Sequence, residues 1–297
     1  MHRLQSMLVA SPVILADGAM GTMLFDAGLP AGEAPQIWNV THPERVRAIH
    51  RAYLDAGCQV ILTNTFGGNR FRLARHGLQA RVFELNRAGA SILKAAVDEA
   101  GGAAFAAGDI GPSGELFKPL GNLLFAEAVD AFAEQAGGLL DGGVDLIWIE
   151  TMSDLQEVQA AVEGVRRVSA DVPVFASMTF EKHGRTMMGV APEQACKAVL
   201  SWSVSAFGGN CGTGPIELLK VIRTLHELAP SLPLIYKPNA GLPVLVDGKA
   251  TYDGTPASMA QSAVAAAAAG ARIVGGCCGS TPDHLRAMRG ELAGKRG

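Results

Sequence analysis

Short apolar runs alternate with longer stretches of helical periodicity from one end of the chain to the other. The runs fall near Val13–Ala16, Val60–Thr63, Ala104–Gly108, Leu146–Glu150, Val174–Met178, Ala206–Gly209, Leu234–Lys237 and Arg272–Gly275. Each has the length of a strand and little polar interruption, as expected of strands covered on both faces. Amphipathic segments such as Pro43–Ala56 lie between them. Repeated strand–helix units build a parallel sheet. Eight units within 297 residues predict an α/β fold with one domain over residues 1–297, a single (β/α)8 TIM barrel. A doubly wound open sheet fits less well: no G-x-G-x-x-G turn follows the first strand, and nothing marks a linker.

Polar residues collect where such a barrel builds its sites, at the C-terminal ends of the strands. Asp17, Asn64, Asp109, Glu150, Ser177, Asn210, Cys211, Asn239, Cys277 and Cys278 all stand at or just beyond a predicted strand end. Single members have plainer readings: Asp17 could cap the turn Asp17–Thr22, and Asp109 could brace the glycine turn after it. Glu150 is harder to explain away. It ends an otherwise apolar strand, where a carboxylate needs a cationic or donor partner.

The cysteines sharpen the picture. Cys277 and Cys278 sit in Gly275-Gly-Cys-Cys-Gly279, and Cys211 sits in Asn210-Cys-Gly212; both segments end an apolar run and precede a predicted helix. Three thiolates converging there fit zinc, since three protein ligands leave the fourth tetrahedral position to a substrate. Burial or a vicinal disulfide is the plain alternative, because cysteine is often simply buried. Cys58 and Cys196 are read that way, each inside a helical pattern. A substrate thiol entering the fourth position would lose its proton and become a nucleophile. Glycines around each ligand permit close backbone approach, so replacing Gly276 or Gly279 is expected to misplace the ligands.

Composition narrows the field. A chain that is 48% hydrophobic with a net charge of −3 can bury a large core and offers no electrostatic footprint for nucleic acid. Its longest alanine-rich stretch, Ala263–Ala269, is too short for a membrane span, and no signal-peptide pattern opens the chain. Five cysteines without disulfide-like spacing suit a reducing compartment, so a cytoplasmic protein is expected.

At these residues the chain resembles the homocysteine S-methyltransferase family, which includes betaine-homocysteine methyltransferase and the homocysteine-binding module of cobalamin-dependent methionine synthase. The likeness runs through Leu15–Thr22, Thr63-Asn-Thr-Phe-Gly67, Gly108-Asp-Ile-Gly-Pro112, Glu150-Thr-Met-Ser153, Asn210-Cys-Gly212, Lys237-Pro-Asn-Ala-Gly241 and Gly275–Gly279. The resemblance implies zinc on Cys211, Cys277 and Cys278, L-homocysteine as substrate and methionine as product. It also implies that Asp17 and Glu150 fix the substrate ammonium, with Ser177 and Asn239 lining the amino-acid pocket. Backbone N–H groups around Gly18 and Ala19 are suited to the carboxylate.

For the methyl donor, the chain as given has no room for a folate-binding barrel or a cobalamin domain. A small onium compound is expected, glycine betaine first, then S-methylmethionine or another sulfonium, then a methyl-corrinoid on a separate protein. Cationic donors favour aromatic walls, and Trp38 and Phe66 lie in the loops after the first two strands, with loop packing as the alternative for each; Trp148, inside a strand, is read as core. The aromatic residues of animal betaine enzymes are absent here, where the chain has Gly67 and Thr151. A reading from another class, a zinc-holding barrel that serves only as a subunit, is kept beside these.

Overall fold

The computed structural model describes residues 3–246 and 249–294. Strands β1 (Ile14–Leu15), β2 (Val60–Leu62), β3 (Phe105–Ile110), β4 (Leu146–Met152), β5 (Val174–Met178), β6 (Ala206–Cys211) and β7 (Leu234–Pro238) are followed by β8 (Pro243–Val246), β9 (Lys249–Tyr252) and β10 (Ala271–Val274). Eight of them form one parallel sheet in the order β1-β10-β7-β6-β5-β4-β3-β2. The two edges meet through an Ala16–Val60 bridge, with Asp17 N–H donating to Val60 O at 3.0 Å and Gln59 N–H to Leu15 O at 2.7 Å. The sheet thus closes on itself, and the chain is a (β/α)8 barrel.

Strand periodicity sorts the side chains into two cores. Phe105 and Ala107, Leu146 and Trp148, Phe175, Ala206, Ile235 and Ile273 point inward and pack on one another. Ala106, Ile147, Ile149, Val174, Ala176, Phe207, Leu234 and Tyr236 point outward and join the buried faces of the surrounding helices. The same alternation of two decides the chemistry. Continuing four of the inward rows by one step reaches Asp109, Glu150, Ser177 and Lys237, while those of Ala206 and Ile273 reach Gly208 and Gly275, so the polar layer is the next storey of the apolar interior.

Two features were not expected from the sequence. A helix at Arg3–Ala10 covers the N-terminal end of the barrel: Leu4 packs into the interior cluster, and Arg272 donates to the carbonyls of Leu8 at 2.6 Å and Ser11 at 2.7 Å. Strands β8 and β9 form an antiparallel hairpin after β7. Cys196 lies in the helix Pro192–Ser201, but Cys58 does not: the preceding helix ends at Asp55, and Cys58 sits buried in the turn before β2. Among the described residues, no helix is long and apolar enough to cross a membrane.

Candidate metal centre and substrate cavity

Cys211 ends β6, while Cys277 and Cys278 follow β10, and the three Sγ atoms lie within 4.8 Å of one another. Thiolates around tetrahedral zinc, with Zn–S near 2.3 Å, stand roughly 3.8 Å apart, so this triangle fits the ion with only small adjustment. The backbone is laced for the purpose. Cys277 N–H donates to Pro238 O at 2.8 Å, Ala240 N–H to Cys278 O at 2.9 Å and Gly276 N–H to Asp17 O at 3.0 Å. Cys211 adopts φ +63°, uncommon for a residue with a side chain; its neighbour Asn210 fixes the site from below. Asn210 Oδ1 accepts from Thr151 N–H at 2.9 Å and Ser177 Oγ at 2.8 Å, while its amide donates to Thr151 Oγ1 at 2.7 Å and lies 3.7 Å from Cys277 Sγ.

The hydrogen bond to Cys211 and burial push the Cys277 thiol well above its ordinary value, against the opposing bond to Cys278. The crowded neighbours leave Cys211 raised to about 11 and Cys278 to about 12. Three thiols that suppress one another's ionisation need a metal before they become anionic ligands.

Beside the thiols lies a cavity of about 240 Å³, walled by Asp17, Gly18, Ala19, Phe66, Asp109, Glu150, Lys237 and the three cysteines among others. Lys237, buried to 2% exposure, donates to Asp17 Oδ1 at 2.9 Å and stands 4.9 Å above the Trp148 ring. Asp17 Oδ2 accepts from Leu62 N–H at 2.7 Å. Each oxygen of Asp17 thus has one partner within the protein, Lys237 and the Leu62 N–H, and keeps a free lone pair at the cavity wall. Burial alone would lower the Lys237 pKa, but the attraction of Asp17 and Glu150 outweighs it and raises it. Burial pushes Glu150 up, with Lys237 opposing. Asp109 is pushed up well above its usual range by burial and then by Glu150.

The remaining expected residues divide. Phe66 and Gly18 line the cavity, as does Ala19, although Ala19 N–H is already given to Ser280 Oγ at 3.2 Å. Ser177 and Asn239 do not line it. Ser177 stands behind Asn210, bonded also by Trp148 Nε1 at 3.3 Å, and Asn239 donates to Gly212 O at 2.9 Å, bracing the loop after Cys211. Trp38 must be withdrawn from the donor wall. It opens a short helix, Trp38–Thr41, and is 1% exposed, with His42 at 4.8 Å and Arg45 at 5.2 Å. Trp148 is core, as read, and floors the site.

Lys237 and Tyr252 went unassigned in the sequence. Lys237 stood at a strand end and opened the Lys237–Gly241 motif but was given no role, although an ionisable residue closing an apolar strand is the same signal that singled out Glu150. Tyr252, on β9, packs its ring so closely over Gly279 that a Cβ there would lie 2.2 Å from it; no local pattern announces that contact.

A closed parallel barrel with three convergent thiols beside an acid-lined cavity has a candidate metal-holding site at the carboxyl ends of its strands, where barrels of this kind build their active sites. Residues 14–292 match the family described as homocysteine S-methyltransferase, and the chain belongs to that family and is a methyltransferase. It is 37% identical over 300 residues to the methionine synthase of Mycobacterium tuberculosis, covering 96% of this chain and 25% of that protein. The Mycobacterium leprae methionine synthase is 36% identical over 299 residues, with the same coverage. The chain therefore spans about a quarter of the length of these relatives. In shape it is similar to the metallated homocysteine methyltransferase MmuM of Escherichia coli, with TM-score 0.82 and 24% identity over 97% of this chain and 99% of that one.

Proposed function

We propose that this chain methylates the thiol of L-homocysteine to give methionine, with Cys211, Cys277 and Cys278 holding zinc. The observation that carries the reading is the convergence of three thiols at the wall of a cavity sized for one small amino acid. Its volume of about 240 Å³ leaves room for a small amino acid. Zinc bound there supplies the Lewis acidity that lets a thiol ionise at neutral pH.

The chain's own residues do the rest. Three carboxyls, Asp17, Asp109 and Glu150, share the cavity with one ammonium, that of Lys237, so a further cation is welcome there. The amino group of homocysteine is such a cation, and Glu150 is its first acceptor. The turn at Gly18–Ala19, also at the cavity wall, is the one suited to the carboxylate. Ser177 and Asn239 act from behind, by holding Asn210 and the Gly212 loop in place.

A cavity filled by homocysteine leaves the methyl donor to approach from the mouth. Glycine betaine remains the first donor in this reading, with Phe66 as its aromatic wall. A second reading, a methyl-corrinoid carried on another domain or protein, is favoured by the 37% identity to a methionine synthase four times as long.

The test is methionine formation by the purified, zinc-loaded chain with homocysteine and, separately, betaine, S-methylmethionine, a dimethylsulfonium acid and methylcobalamin. Turnover with betaine supports the first reading, and turnover with methylcobalamin alone supports the second. If homocysteine fails to bind the zinc-loaded protein, the proposed substrate is wrong.

A further inference from the structure

Ser280 is fully buried, and its hydroxyl works in two directions. Ser280 Oγ donates to Cys277 O at 2.7 Å and accepts from Ala19 N–H at 3.2 Å. The first partner is the carbonyl of a metal-ligand residue; the second is an N–H of the turn that lines the cavity. The surroundings leave room for this one oxygen. A Cβ at Gly276 or at Gly18 would run into it, so both segments carry glycine where they pass the hydroxyl. Tyr53, from the helix Pro43–Asp55, braces the same junction: its hydroxyl donates to Ala19 O at 3.0 Å and lies 3.4 Å from Ser280 O. Gly276 N–H to Asp17 O at 3.0 Å and Gly279 N–H to Thr22 Oγ1 at 3.2 Å hold the two segments together on either side.

We propose that Ser280 is a positioning residue that couples metal loading to amino-acid binding, its hydroxyl tying the main chain of Cys277 to the Gly18–Ala19 turn. Residues that hydrogen-bond to metal ligands orient them, and are oriented by them in return. A metal held by sulfurs from β6 and from the segment after β10 fixes the Cys277 main chain, and with it the carbonyl that orients the Ser280 hydroxyl. Ala19 N–H, bonded to that hydroxyl, is fixed in turn. The metal then favours the ordered turn even for a ligand that never touches it, and such a ligand favours the metal by the same factor, as linkage requires. The flanking bonds to Asp17 O and Thr22 Oγ1 keep the segments adjacent but reach neither the Cys277 carbonyl nor the Ala19 N–H. The inference rests on the homocysteine reading and names the residue through which the metal side and the amino-acid side of that site communicate.

L-Norvaline tests it, since it is homocysteine with the thiol replaced by a methyl group and offers the metal no sulfur. Its affinity is measured by calorimetric titration of apo and zinc-loaded protein, and zinc affinity by chelator competition with and without norvaline. In the wild type, zinc should tighten norvaline by about 5-fold or more, the lower end of typical couplings between sites, and norvaline should tighten zinc equally. Ser280→Ala should abolish that difference while still folding and binding a full equivalent of zinc, because the flanking bonds remain. Tyr53→Phe, which loosens the junction but leaves the Ser280 hydroxyl in place, should keep the difference; a merely structural role would make the two variants alike. Norvaline binding that is equal in apo and loaded wild type, or absent from both, overturns the proposal whatever the variants do. Full coupling in Ser280→Ala, or its equal loss in Tyr53→Phe, overturns it too, and each of these results leaves the homocysteine reading standing. Loaded wild type that fails to bind homocysteine sinks the homocysteine reading, and this proposal with it.

Discussion

Lys237 and Asp17, 220 residues apart in the sequence, meet at 2.9 Å inside the closed barrel, with their side chains 3% and 2% exposed. Breaking such a pair by removing one member leaves a buried charge without its counter-ion, at a cost of about 3–5 kcal/mol. Asp17→Asn and Lys237→Met are each expected to lose stability in that range. The double variant should recover much of the loss, because two neutral groups need no mutual compensation. Urea unfolding of the four proteins closes the cycle, and simple addition of the two single losses would show that the pair does not act as a unit.

How far the site was legible follows from where its partners lie in the chain. Glu150 could be placed because Leu146 and Trp148 are its own row, four and two residues back, so strand period alone carries it inside. The pairing of Lys237 with Asp17 could not, since it exists only once β1 and β7 are brought to either side of β10 by closure of the barrel. The cysteines were found by their glycine context, which survives in sequence as the record of a tight turn. Trp38 was misplaced because the segment after β1 folds into a 3-10 turn at Pro35–Ile37 and a helical turn at Trp38–Thr41, which bury the ring that a loop would have left at the mouth. The eight strands themselves were read within a few residues of their observed bounds, because hydrophobic runs buried on both faces leave a local signal.

Glycine substitutions should separate fold from metal binding. An added Cβ at Gly208 would stand 2.0 Å from Ile235 O on the neighbouring strand, and strand backbone cannot yield as a side chain can. Gly208→Ala is therefore expected to destabilise by about 3 kcal/mol or more, the upper end for overpacking. Gly279 has φ +78° and meets the Tyr252 ring, so Gly279→Ala should cost about 1–2 kcal/mol of backbone strain and shift Cys278. Its signature is weakened zinc binding in a chelator competition alongside a modest fall in melting temperature. Gly279→Ala with wild-type zinc affinity would mean that the loop absorbs the change without moving its ligand.

Removing a ligand should act on zinc alone. Cys278→Ala deletes one of three sulfurs from a residue that is only partly buried, so the barrel should fold and retain its circular dichroism. Zinc affinity should fall by more than the 10- to 100-fold typical of losing an outer partner of a ligand. Metal analysis after dialysis gives the answer directly. One equivalent of zinc retained by the variant would remove Cys278 from the ligand set.

The buried carboxyls also set a pH dependence. Burial, then Glu150, raise the Asp109 pKa well above its ordinary value. A carboxyl with a higher pKa folded than unfolded binds its proton more tightly in the native state. That contribution to stability is full below the unfolded pKa, about 4, and is lost as pH rises through the folded pKa. Asp109→Asn has no such proton to lose. Relative to wild type, the variant should therefore gain stability as pH rises from about 4 toward neutrality, read from urea midpoints at several pH values. A difference that stays constant over that range would mean that Asp109 ionises equally well folded and unfolded.

Glu150→Gln tests the wall that faces the metal centre. The residue is buried to 9% exposure, and glutamine keeps its shape while losing the charge that attracts both Lys237 and an incoming ammonium. Three sulfurs bind zinc without it, so zinc content should be unchanged. Lys237 keeps Asp17 as its bonded partner, so the fold should lose little. What remains is the substrate. Losing a hydrogen bond to a charged group costs about 1.5–3 kcal/mol, which raises the homocysteine concentration needed for half-maximal rate by about 10- to 150-fold. The effect should fall mainly on KM, because the reacting sulfur lies at the far end of the substrate from the ammonium. A fall in kcat with KM unchanged would instead place Glu150 beside the methyl transfer itself and move the ammonium elsewhere in the cavity.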